Sequence, residues 1–435
     1  MMSMPPPTPA FSTPIRFDPL CRAAGTVKDA IDAFTIHLQA EEGRLGLRLR
    51  QRREADGYNF RLAVEALACN LLITAMVGPG AILSVPRGHG TMWGKGRYHH
   101  PVYGQHFLDV LDLLKTLRLV TVVTKGYRFS HRRWQATNIR PAHKLACHLP
   151  IAATHWNAIC RAEEPEVIVL RSSKDDNRRA KPIDYFDNRN TMRWRRELKA
   201  INGWLTAAQI ELINGDRAVS LDRGGQPLAP HRRTLVRIYN NGSFEHGGRL
   251  WGAYWLTMER QERFRRLRID GEPIANVDYM QLFPRLAYAL AKINPPKGDL
   301  YDVSGDGYSR DGWKQLINAL LFTQRPLKQW PEDTREHFPE GTNLRSTIEA
   351  IKRKHAPISC CFERGLGFRL MRIESDILVR VVTALFKKGV TALPIHDAVL
   401  VARSHAGMAK EVMEAEFILR TGASGGIVKV EVLSN

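Results

Sequence analysis

Two aspartates constrain this chain more than any other feature of it. Asp278 ends the run Ile274-Ala275-Asn276-Val277, and Asp397 ends Leu393-Pro394-Ile395-His396. Both runs are short, largely apolar and of the kind that forms a buried strand. A carboxylate is rarely left in such surroundings unless something compensates its charge. For either aspartate alone, capping a turn at a strand end is the ordinary explanation. For the two together, a shared pair of Mg²⁺ ions is the alternative, and it would equip the site for phosphoryl transfer.

The segment between them bears on the choice. In Arg310–Phe322, Trp313, Leu316, Ile317 and Leu320 recur at helical spacing and form a core stripe. Arg310, Lys314 and Asn318 recur every four residues and so climb a neighbouring face together. An arginine and a lysine one turn apart can grip a triphosphate, although cations on an exposed helix face are usually solvated decoration.

In this order the three segments resemble motifs A, B and C of the single-subunit polymerase superfamily, which joins family A DNA polymerases to phage-type single-subunit RNA polymerases. Asp278-Tyr279-Met280-Gln281-Leu282-Phe283-Pro284-Arg285 stands for Asp-Tyr-Ser-Gln-x-Glu-x-Arg of motif A. Arg310 and Lys314 match the Arg-x3-Lys of motif B, with Phe322 at its tyrosine, and Ile395-His396-Asp397 matches motif C. Upstream, Gly248-Arg249-Leu250 resembles the Gly-Arg-Leu segment that contacts the growing duplex. The likeness covers about residues 235 to 435 and is that of a compact, divergent branch of the kind found in mobile elements and phages.

The resemblance implies an α+β fold of right-hand type, with an antiparallel palm sheet and a helical fingers insert at about 300–375. It implies a polymerase of DNA, with a DNA template and primer, or RNA in their place, and nucleoside triphosphates as partners. Two Mg²⁺ ions, or Mn²⁺ in substitution, would sit on Asp278 and Asp397 about 3.5–4 Å apart. Arg310 and Lys314 would neutralise the triphosphate, with Lys314 also placed to protonate the leaving group. Phe283, Phe322, Asn318 and the Tyr279 backbone would border the nucleotide. Arg249, Gly248 and His396 would meet the duplex end. Glu374, in a helix expected from Ile373 to Lys388, would either position a residue near the primer or only cap that helix.

Two departures bear on the sugar. Family A DNA polymerases carry Glu where Phe283 stands, and RNA-making relatives leave that position small. A bulky Phe283 could exclude a 2′-hydroxyl, and Phe322 lacks the hydroxyl with which RNA-making relatives sense the ribose; both favour deoxynucleotides. Against this, Phe283 reads equally as core on a helix Gln281–Ile293, and Ala398 replaces the acid that often follows His-Asp in DNA polymerases. A primase or RNA polymerase starting chains de novo, and a non-catalytic nucleic-acid-binding replication protein, are the competing classes.

Composition agrees with a nucleic-acid partner: 64 Lys plus Arg against 44 Asp plus Glu leave a formal charge of +20. Six cysteines show no metal-binding spacing and read as thiols of a reducing compartment. No apolar stretch reaches membrane-spanning length, with Leu67–Val77 the best candidate and a core helix instead, so no membrane partner and a cytoplasmic location are expected.

Residues 1–15 are expected to form a disordered lead, 16–165 a mainly helical nucleic-acid-binding region, and 166–435 the polymerase palm and fingers. In the first region Arg87–His100 reads as a loop, either solvated or meeting phosphates. Phe107–Leu117 reads as an amphipathic helix followed by a hairpin turning at Lys125-Gly126, with His131, Arg132, Arg133 and Arg140 beyond it. Helix plus basic hairpin suggests a winged-helix module with Arg132 and Arg133 on the nucleic-acid backbone, or a structural subdomain with no groove contact. Arg193-Trp194-Arg195-Arg196 suits stacking on a strand, unless Trp194 is core. No paired acids in residues 1–170 suggest a proofreading exonuclease.

Overall fold

Apolar periodicity sets the first elements. Val27, Ile31, Phe34 and Leu38 line one side of a helix Gly25–Arg44 and are all buried. Phe60, Val64, Leu67 and Leu71 do the same for Glu54–Val77, and Phe107, Val110, Leu111 and Leu114 for Gln105–Thr116. These three helices enclose a single apolar cluster. Glu54–Val77 is long and apolar enough to cross a membrane, more so than Leu67–Val77 alone, but most of it is buried in this cluster.

The computed structural model describes residues 13–128, 134–175, 179–213, 219–305 and 309–433. The fold is α+β and divides into two units. The first comprises Met1–Glu166, Leu212–Thr234 and Gly252–Arg263; the second comprises Val167–Glu211, Leu235–Trp251 and Phe264–Asn435.

In the first unit the strands run in the order Ile15–Arg16, Leu83–Val85, Thr137–Pro141, Val120–Thr124. The expected turn at Lys125-Gly126 is not there. Val120–Thr124 pairs with Thr137–Pro141, and Tyr127–Arg128 pairs with Trp134–Gln135, so Lys125 and Gly126 lie midway along one arm. The glycine serves a close approach and not a reversal: a Cβ at 126 would come within 2.9 Å of the Thr137 amide nitrogen. His131, Arg132 and Arg133 lie outside the described residues.

Two arginines of Arg87–His100 are committed to acids of the same unit. Arg87 pairs with Asp112 at 2.9 Å and Arg97 with the buried Glu166 at 3.0 Å. The ring of His100 is buried and accepts from the Val102 amide. The segment is a loop as expected, interrupted by a four-residue helix His89–Met92.

A second sheet organises the other unit. Glu272–Met280 is flanked antiparallel by Ala398–Ala402 and by Ile427–Val432, and Ala398–Ala402 pairs on with Leu393–Ile395. A smaller sheet sets Val236–Asn240 parallel to Ile168–Leu170 and antiparallel to Ser243–Trp251. The helix Arg189–Ala207 starts with a capping box between Asn188 and Thr191. Its Trp194 is core, stacked on Tyr239 at 5.3 Å, so it is not offered to a nucleic-acid strand.

The long helix Leu366–Lys387 begins seven residues before the expected Ile373. It packs on Ser243–Trp251 through polar clamps. Arg237, 2% exposed, donates to the Gly248 carbonyl, Ser375 and Asp376, while Arg372 donates to the Phe244 carbonyl and pairs with Asp376.

Candidate functional site

Backbone register brings the two aspartates together. Asp278 lies opposite Ala398 across adjacent antiparallel strands, and the Tyr279 amide donates to the Asp397 carbonyl at 3.3 Å. Asp397 and His396 form the tight connection between Leu393–Ile395 and Ala398–Ala402, with His396 in the left-handed region at φ 52°. Residues 119 apart in sequence, 397 minus 278, thus share one end of one sheet.

Charge is concentrated around that end. Burial raises the Asp397 carboxyl above the usual carboxylate range, while Arg249 and Lys314 oppose the shift. Glu374 is 1% exposed, and burial pushes its carboxyl up to about 7. Arg249 counteracts that rise, and the charge of Asp397 adds to it. Arg249 holds Glu374 as a fork, Nε to Oε1 and Nη2 to Oε2, both at 2.9 Å. Glu374 therefore sits in mid-helix as an ion-pair partner and does not cap a terminus.

The glycine before Arg249 explains how that fork is aimed. The strand pairing slips between Ile238 and Tyr239, so that Ile238 faces Arg249 and Tyr239 faces Gly247, leaving Gly248 as the extra residue of a bulge. Its φ is +85°, and a Cβ there would press on Tyr239, Arg237 and Arg372. Gly248 is buried with its carbonyl bonded to Arg237 and Ser375, so its role is to turn the strand and not to touch nucleic acid.

A second wall comes from Arg310–Phe322. Trp313, Leu316, Ile317 and Leu320 are buried, while Lys314 is exposed within electrostatic reach of Asp397. Arg310 is less free than its helix position implies: its Nε pairs with Asp299, and its guanidinium lies 5.6 Å from the Tyr301 ring centre. Asp299 is itself fixed by the Gln281 amide group at 2.8 Å and the Tyr301 amide at 2.9 Å. Tyr301 is buried, and burial holds its hydroxyl protonated, reinforced by the charge of Asp397 and opposed by Arg310, with the Asn318 side chain close by.

Two aromatic side chains complete the arrangement. Phe283, in the first turn of the helix Leu282–Leu290, packs on Phe322 with ring centres 5.6 Å apart. Both are half-buried, and the Arg249 guanidinium lies 5.6 Å from the Phe283 ring centre. Gly367 backs Phe322 so closely that a Cβ would meet its ring at 2.6 Å. His396 meets Trp251 edge to face at 5.5 Å.

The structure thus brings together Asp278, Asp397, Lys314, Arg249, Glu374, His396, Phe283 and Phe322, with Arg310 and Asn318 joined to them through Tyr301 and Asp299. The Tyr279 amide is spent on Asp397, and its hydroxyl is bonded to the Met413 carbonyl. Asp299 and Tyr301 carry no signal in the sequence, because Asn294–Tyr301 is a Pro/Gly-containing stretch without periodicity. The donor chemistry at the sheet end fits a hard divalent cation: two carboxylates supply oxygen ligands, and Lys314 and Arg249 stand where an accompanying polyanion would need cations.

A different trio of donor groups meets in the first unit, where Asp18, Cys21 and His231 place ligand atoms within 4.8 Å of one another. Asp18 is flanked by Arg161 at 3.3 Å and Arg232 at 3.7 Å, which satisfy its charge and oppose a cation. Burial also holds the Cys21 thiol well above its usual range, so the trio reads as a buried polar contact.

No family model matches the chain, and no curated protein matches it. Among solved structures, the chain is similar to the POL domain of Pol1 from M. smegmatis in complex with DNA primer-template and dNTP, with a TM-score of 0.31 and 13% identity. That match covers 46% of this chain and 47% of the other, so the chain spans about half the length of its structural neighbour.

Proposed function

We propose that the second unit catalyses template-directed nucleotidyl transfer, chiefly as a DNA polymerase without a proofreading exonuclease, on a right-hand palm formed by the Asp278 sheet. The observation that carries this reading is the meeting of Asp278 and Asp397 on adjacent strand ends, with Lys314 and Arg249 within charge reach of Asp397. Asp278 and Asp397 would hold the divalent cations, whose chemistry when bound is Lewis-acid activation of a 3′-hydroxyl and stabilisation of a pyrophosphate leaving group.

The remaining roles belong to the chain's own side chains. Lys314 neutralises the triphosphate and donates a proton to the departing oxygen, and Arg310 adds a second cation one turn away. Arg249, held as a fork by Glu374, presents a fixed guanidinium edge toward a primer end. The paired rings of Phe283 and Phe322 form an apolar surface suited to a sugar lacking a 2′-hydroxyl.

The test is extension of a primed template, and separately of an unprimed one, with dNTPs or NTPs and Mg²⁺. Asp278→Ala and Asp397→Ala are each expected to abolish extension while nucleic-acid binding is nearly kept. Extension of neither template with either nucleotide set, or an active double alanine variant, would refute the reading. Preference for NTPs on unprimed template would move it to a primase.

A further inference from the structure

The linker between the helices Gly25–Arg44 and Glu54–Val77 reads Leu45-Gly46-Leu47-Arg48-Leu49-Arg50-Gln51-Arg52-Arg53. It borders a groove of about 480 Å³ in the first unit. Five arginines line this groove, Arg48, Arg50, Arg52, Arg53 and Arg61, against only Glu42 and Glu54. Arg52 forms its floor, paired with the buried Glu42 at 2.6 Å and lying over the Phe60 ring at 3.8 Å. Arg48 donates to the Arg50 carbonyl and so ties the linker to itself. Arg50, Arg53 and Arg61 are exposed and make no ion pair among the described residues. Beside them Leu47 and Leu49 face outward, Leu49 at 94% exposure.

Such a surface has two unmet needs. Three uncompensated guanidinium groups in one concavity call for anions at repeated spacing, which a phosphodiester chain supplies and single carboxylates do not. The exposed leucines call for apolar faces next to those anions. A duplex presents its phosphates but hides its base faces in the stack, whereas a single strand offers both side by side. An anionic membrane would also offer charge and apolar matter, but it meets a projecting face, and here the arginines line a concavity.

We propose that this arginine groove is a binding site for single-stranded nucleic acid, with Arg50, Arg53 and Arg61 on successive phosphates and Leu47 and Leu49 against exposed bases. The site is independent of the chemistry assigned to Asp278 and Asp397 and stands if that assignment fails.

The test uses the full chain, a fluorescently labelled deoxythymidine 12-mer, a blunt duplex of the same length, and phosphatidylserine vesicles. Affinity is read by anisotropy, or by co-sedimentation for vesicles, across a salt series. Substituting Arg50, Arg53 and Arg61 together by Ala is expected to weaken single-strand binding about 10–100-fold and to reduce the log–log salt slope by about 2, at roughly 0.7 per lost phosphate contact. The triple lysine variant should recover most of the slope, and Leu49→Asp should weaken the single strand more than the duplex. Thermal melting checks that the exposed substitutions leave the fold intact, and Asp278→Ala should bind the 12-mer like wild type. An unchanged slope in the triple alanine variant overturns the site. Equal losses for duplex and single strand overturn the single-strand assignment, and vesicle binding that depends on these arginines without oligonucleotide binding gives the groove to a lipid surface instead.

Discussion

At the scale of single residues, Glu374 is the most informative side chain in the second unit. Its carboxyl is pushed up to about 7 by burial, against an ordinary value of 4.5, even with Arg249 bonded to both oxygens. The folded chain keeps that proton until about pH 7, whereas the unfolded chain releases it near 4.5. Between those values the native state binds more protons, so the Glu374 contribution to stability is fully present below pH 4.5 and lost as pH rises to 7. Melting temperature measured from pH 5 to 8 should therefore decline less steeply in Glu374→Gln than in wild type; equal slopes would show that Glu374 ionises normally. Lys314 and Arg310 separate at the same scale. Lys314 is exposed beside Asp397, and its replacement by Ala should mainly lower kcat. Arg310 is already paired with Asp299, so Arg310→Ala should mainly raise the KM for nucleotide. Wild-type kinetics in both variants would make them surface cations.

At the scale of elements, the junction of the helices Leu282–Leu290 and Arg310–Phe322 decides what can lie beside Asp278. Phe283 and Phe322 are the two places where the chain departs from the resembled motifs at the sugar, and they touch each other. Phe322 is in turn held from behind by Phe368 and by the missing Cβ of Gly367. Trimming Phe283 to Ala removes one ring of a supported pair, so the gap should persist. Relative incorporation of ribonucleotides over deoxynucleotides should then rise by about 10–1000-fold in mixed-pool competition, roughly 1.4–4 kcal/mol of discrimination. An unchanged ratio would make Phe283 a core residue only.

At the scale of the whole molecule, the surplus of 20 positive charges is a long-range field that no single contact accounts for. Arg87, Arg97, Arg161, Arg237 and Arg372 are paired with acids of the chain, but each pair uses one charge of either sign and leaves the surplus of 20 intact. Enough remains exposed that nucleic-acid affinity should fall about 10³-fold or more between 50 and 200 mM salt, as for a protein making six or more phosphate contacts. A flat salt response in a filter-binding titration would contradict this.

What the sequence determines by itself is local. Four-residue recurrence identifies the helix Arg310–Phe322 and its buried stripe, and apolar runs locate the strands that end at Asp278 and near Asp397, because burial of one face imposes its period on the residues. The tertiary structure decides what depends on register. A bulge makes Gly248 a buried turning point and aims Arg249 at Glu374, a residue 125 positions away that periodicity cannot link to it. It turns Gly126 from a reversal into a close approach, and it withdraws Arg87, Arg97 and Arg310 into ion pairs with acids that have no marked spacing from them. The physical reason is common to all of these. Propensity and patterning act over a turn or a strand, whereas pairing of charges and approach of backbones are set by which distant elements the core brings into contact.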